Sequence, residues 1–118
     1  MESILTSIKK MIGVDKTYTY FDPEIIMHIN TALATLTQLG VGPSTGFSIQ
    51  DENAIWSDFI GDSPNLENIK TYVGLKVRQF FDPPQTSAHL ESIKNLCNEL
   101  EFRISVTVDP GEGKIQNG

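Results

Sequence analysis

The residues of this chain whose types could do chemistry are two histidines, one cysteine and a few clustered carboxylates. His28 and His89 fall in different helical patterns, and each lacks a nearby Cys or an H-x-x-x-H partner. A zinc site needs three or four ligands and an acid–base site an oriented pair, so neither histidine carries a site by itself. Asp51, Glu52, Asp58 and Asp62 gather in one loop, without the alternating oxygen ligands and central glycine of a calcium loop. The G-V-G-P run at residues 40–43 lacks the Lys-Ser/Thr of a phosphate loop, and its proline removes a needed N–H. Lys70, Lys76 and Arg78 share a helix but point in different directions, so they form no basic stripe. No enzyme, cofactor or metal site is expected.

Composition narrows the classes further. A chain of 118 residues is one domain with a modest core. Nine Lys plus Arg against fifteen Asp plus Glu gives a net charge of −6, which opposes tight binding to nucleic-acid phosphates. The single Cys97 cannot make an internal disulfide, and a reducing, intracellular origin follows. The start, M-E-S-I-L-T-S-I-K-K, reads as a short amphipathic helix and not a signal peptide. Nowhere do about 18 consecutive apolar residues mark a membrane span.

The element that must position everything else is Ser63–Pro84. Ser63 and Pro64 suit a helix start, Pro83-Pro84 forbids continuation, and Leu66, Ile69, Val73, Val77, Phe80 and Phe81 form one apolar stripe. Tyr72 and Leu75 lie off that stripe and are candidates for contact with a neighbour. Upstream, Ile4, Leu5, Ile8, Met11 and Ile12 predict a first helix stopped by Gly13. The aromatics Tyr18, Tyr20 and Phe21 alternate as a strand would, but read better as a loop plugging the core. Asp22-Pro23-Glu24 opens a second helix, with the Asp carboxylate as cap. Its core stripe is Ile25, Ile26, Ile29, Ala32, Leu33, Leu36 and Leu39, and glycines end it.

The opposite face of that second helix holds Met27, Thr31, Ala34, Thr35 and Gln38, and residues 25–50 contain no Asp, Glu, Lys or Arg. Solvated faces normally carry charge, so this one is expected to touch something. Residues 40–61 form a long connection with too much apolar mass for disorder. Asp51 or Asn53 could cap a short helix through Trp56 and Phe59. Those two aromatics either anchor a binding loop or close the core, and core packing is the commoner fate of Trp56. Thr86 or Ser87 caps a last helix with the stripe Leu90, Ile93, Leu96, Cys97, Leu100 and Ile104, fraying at residues 106–108. The architecture expected is all-α: four helices over residues 1–108, a long structured loop between the second and third, and a flexible tail at 109–118.

The runs F-D-P-E-I-I-M-H-I-N-T-A-L, Q-L-G-V-G-P, W-S-D-F-I-G-D, Y-V-G-L-K-V-R-Q-F-F-D-P-P and E-L-E-F-R, spread over residues 1–110, resemble small head–tail connector proteins of tailed phages and prophages. The resemblance implies a structural virion protein of the neck, present in the host cytoplasm before assembly. It would form a dodecameric homo-oligomeric ring under the portal protein, extend the DNA channel without gripping DNA, and receive a stopper or tail protein. Met27, Thr31, Thr35, Gln38, Trp56, Phe59, Tyr72 and Leu75 are the candidate subunit or partner contacts. Two other readings remain: a tail-completion or terminator protein, expected to be richer in β-strand, and a small cytosolic helical adaptor binding one protein partner.

Overall fold

In the computed structural model, which describes residues 2–108, helix α1 (Ile4–Met11) starts where Ser3 Oγ accepts from the Thr6 amide at 3.2 Å. It stops at Gly13, whose φ of +82° a side chain would strain, and Val14 N donates back to Lys9 O. Helix α2 (Asp22–Gln38) follows a loop, with Pro23 in its first turn. Its end is closed by Val41 N donating to Leu36 O at 2.9 Å. Helices α3 (Trp56–Ile60), α4 (Leu66–Phe81) and α5 (Ser87–Val108) complete the order. The tail at 109–118 lies outside the described residues.

The all-α class holds, with five helices where four were expected among the described residues, because the turn through Trp56 is a helix in its own right. Its cap is Asp58, whose Oδ2 reaches back to accept from Ile55 N at 3.0 Å; Asp51 instead closes the turn before it, accepting from Asn53 N. Asp22 does not cap α2: Phe21 stands at the cap position with no side-chain bond. Ser63 Oγ accepts from Asn65 N in the turn ahead of α4, which begins only at Leu66. Thr86 does cap α5, through His89 N at 3.2 Å, and α5 stays helical through residues 106–108.

Helix α4 touches α1, α2 and α5, so it is the spine. Ile69, Val73 and Val77 are buried as its stripe predicts, but Phe80 is 59% exposed and stacks on His28 with ring centroids 5.9 Å apart. Gly74 sits where Met11 crosses; an added Cβ would stand 2.5 Å from Met11 Cε. The aromatic loop also departs from expectation. Phe21 packs edge-on against Phe81 at 5.3 Å, while Tyr18 and Tyr20 are exposed, Tyr20 by 77%.

Of the three aromatics only Phe21 plugs the core as expected, and the loop is otherwise tethered by Lys9. Its side chain is 2% exposed, and Nζ donates to the carbonyls of Tyr18 (2.8 Å) and Lys16 (3.2 Å). Asp22 Oδ1 lies 2.8 Å from Nζ, off the line of a hydrogen bond, so that contact acts through charge. One ammonium thereby ties the loop to both α1 and the start of α2.

The connection between α2 and α3 is held at three points. Asn30 behaves as a strand neighbour, donating to Ile49 O (3.0 Å) and accepting from Ile49 N (2.8 Å). Ser3 and Ile55 form an antiparallel bridge flanked by Ile4 N to Ala54 O at 3.0 Å. Trp56 is buried, and its indole Nε1 donates to Ser7 Oγ at 2.8 Å.

Two stability outcomes follow. Lys9→Met leaves the Asp22 charge and two carbonyls without their cation. It should lower the urea midpoint by an amount equivalent to about 2–4 kcal/mol, with partial recovery in Lys9→Met/Asp22→Leu. Ser7→Ala leaves a buried indole N–H unpaired and should cost about 1–3 kcal/mol.

Candidate interaction surface

Of the candidate contact residues, the structure keeps one group on the surface and takes another into the core. Met27 (56% exposed), Thr31 and Gln38 lie open on the outer side of α2, with Thr35 half-buried beside them and Ala34 between. Helical spacing puts them in one strip, and the face is uncharged as read from the sequence. The threonines add a detail that spacing does not show. Thr31 Oγ1 donates to Met27 O at 3.0 Å and Thr35 Oγ1 to Thr31 O, so both hydroxyls are spent on their own helix. The strip offers methyl groups, one thioether and the Gln38 amide to a neighbour, and its two threonine hydroxyls would not go unsatisfied on burial.

Trp56, Phe59 and Tyr72 are not on a surface: each is at most 2% exposed. Trp56 closes the core over α1. Phe59 packs against Phe47 with the rings tilted and their centroids 5.2 Å apart. Tyr72 was placed off the α4 stripe, and it is, but that flank faces α5. Its hydroxyl donates to Glu101 Oε2 at 2.7 Å, Thr35 lies beside it, and the Lys76 ammonium stands 6.0 Å from its ring centroid. Leu75 is half-buried and packed against the core. A helix wheel treats the face opposite the main stripe as solvent, whereas α4 has neighbours on several sides. Tyr72 therefore belongs to the α4–α5 packing, where a charge would be a core substitution, while Leu75 stays half-buried against the core.

The wheel did hold a signal for what is exposed elsewhere. Phe102 and Val106 are one turn apart on α5, opposite its buried Ile93, Cys97, Leu100 and Ile104, and Phe102 is 69% exposed. Beside them Arg103 pairs with Glu99. His28 is engaged with Phe80 and lies 3.6 Å from Glu24. Among the described residues no three His, Cys, Asp or Glu side chains come together in a way that could hold a metal. No helix among them is long and apolar enough to cross a membrane.

Two acidic groups of the α4–α5 contact are shifted. Burial pushes the Tyr72 phenol well up, helped by the Glu101 carboxylate that accepts its proton. Burial likewise pushes the Cys97 thiol up, against the smaller pull of Lys76 and of Gln79, whose Nε2 lies 3.4 Å from Sγ. Both groups hold their protons more tightly folded than unfolded. Their stabilisation is complete below the unfolded values and is lost as pH rises through the folded ones. Stability should therefore fall on the alkaline side of about pH 8–9, and Tyr72→Phe/Cys97→Ala should flatten that slope in denaturation measured across pH. Cys97 should resist a thiol reagent at pH 8 until denaturant is added.

No curated protein and no solved structure matches the sequence. A family model does, that of the phage connector protein, over residues 4–111. The match runs from the first residue of α1 past the last of α5, and so takes in the α2 strip and the whole core that supports it. The chain belongs to the phage connector protein family.

Proposed function

We propose that this protein is a structural subunit of the virion neck, assembling side by side into a ring under the portal and passing DNA towards a stopper or tail. The observation that carries the reading is the uncharged α2 strip, Met27 to Gln38, left open on the outside of the core. A ring subunit needs surfaces that lose water cheaply, and a strip whose hydroxyls are already bonded internally does so. The net charge of −6 suits a conduit wall that must not hold phosphates. The all-α architecture fits a connector better than the strand-rich fold expected of a tail terminator.

The mechanism is geometric. Each copy meets two neighbours through different surfaces, as a closed ring of heterologous contacts requires, and its two ends meet the components above and below. Nothing has to be bound or turned over.

Light scattering across a wide concentration range, alone and with a portal ring, tests this. A closed species of about a dozen subunits is expected; a monomer under both conditions would overturn the reading, and would suit a cytosolic adaptor instead. Ala34→Glu, a charge in the middle of the strip, should keep the helical circular dichroism and thermal midpoint of the parent while reducing assembly at least about tenfold.

A further inference from the structure

The few cations of the chain are mostly spoken for. Lys9 is buried with Asp22, Lys70 pairs with Glu2, Arg103 pairs with Glu99, and Lys76 lies over Tyr72. Among the described residues the exposed cations without a carboxylate in contact are Lys10, Lys16 and Lys94, and two of these share one edge. Lys10 and Lys16 flank a notch of about 220 Å³ floored by Val14. Asp15 also borders it, but its carboxylate is turned to Thr17, accepting from N at 2.8 Å and Oγ1 at 2.7 Å.

A cleft of opposite character lies around α1 from that notch. It has a volume of about 630 Å³, apolar surface from Leu5, Pro23 and Ile26, and an acidic margin of Asp22, Asp51 and Glu52. Asp22 is committed to Lys9, and Asp51 Oδ1 accepts from Asn53 N. Glu52 has no ion partner among the described residues. Pro23 is exposed and continues the strip of Met27, Ala34 and Gln38 at helical spacing, so the cleft forms the N-terminal end of the uncharged α2 face.

Leu5 and Lys10 are about 140° apart around α1, at 100° per residue. The acidic cleft and the basic notch therefore look in different directions, and one molecule can use both at once. That is the geometry of a head-to-tail contact, and opposite charge selects the pairing in a chain whose copies, at −6 each, otherwise repel.

We propose that the occupant of the acidic cleft is a second copy of this chain, whose Lys10–Lys16 edge seats against Asp51 and Glu52. The inference rests on the ring reading and adds which surfaces meet, and in which order.

Charge reversal decides it. Lys10→Glu/Lys16→Glu reverses the edge and Asp51→Lys/Glu52→Lys reverses the cleft, both in the full chain, with circular dichroism to show that each folds. By sedimentation at low salt, each variant alone should associate at least about tenfold more weakly than the parent, and an equimolar mixture should recover assembly, because every contact in an alternating ring is again between opposite charges. The Lys16→Cys/Glu52→Cys protein should form disulfide-linked multimers on oxidation, with each single variant reaching only dimers.

If the parent forms closed rings while the reversed variants assemble equally well and the double cysteine variant gives no multimers, these surfaces are wrong and the ring stands. If the parent does not assemble and the double cysteine variant does not cross-link at any concentration, with or without portal rings, both readings fall. Assembly of the parent that weakens as salt rises from about 50 mM to 500 mM supports the pairing; insensitivity to salt counts against it.

Discussion

An ammonium group removed from water must find oxygens at once, and Lys9 is so placed that the three oxygens it finds belong to two different parts of the chain. It leaves α1, takes the carbonyls of Lys16 and Tyr18 from the loop, and faces the Asp22 carboxylate at the head of α2. Each partner alone would be a weak tether. Together they fix the path between the first two helices, and hence where α2 lies against α4. Besides this the loop is held by Val14 and Phe21, which turn inward, while Tyr18 and Tyr20 stand in solvent.

With α2 set, α4 can serve several neighbours. It is narrow where it must be, at Gly74 under Met11, and broad where α5 needs contact, at Tyr72. The Tyr72 phenol shows how a polar group enters such a core without penalty: its one hydrogen goes to Glu101, at the rim between the two helices. The result is a body whose α2 exterior, from Met27 to Gln38, carries neither charge nor free hydroxyl donors. A subunit built this way needs little rearrangement to be packed against others.

Much of this could be read from residue order, and the rest fails for physical reasons. Helix α1 and its Gly13 stop, the α2 core stripe, the Thr86 cap and the uncharged strip all follow from local spacing, and local spacing is what a sequence displays. Lys9 was invisible because a lysine in an amphipathic helix is normally solvated, and nothing in K-K-M-I-G-V says that one of the two neighbours turns inward. Tyr72 was misplaced because a helical wheel has one inside, while α4 has several. Asp22 was read as a cap because its position suits one; the ion pair wins because a buried cation needs a counter-charge more than an exposed first turn needs an acceptor. Trp56 could be sorted into the core on general grounds, but its Ser7 partner lies 49 positions away and no pattern joins them.

The eight residues of α1 have a further meaning. A helix of that length does not persist in water by itself, so its order is borrowed from the Ser3–Ile55 bridge, the Ser7–Trp56 bond and the Lys9 contacts. These attachments lead into the two loops, and α1 is the element they share. Helix α1, residues 13–21 and residues 49–56 are thereby expected to open as one unit ahead of the larger α2–α4–α5 contacts. In the language of amide exchange, the protons of Ile4 and Trp56 should leave at similar rates, ahead of those in the middle of α4. The part of the chain that yields first is the part that carries the two oppositely charged edges.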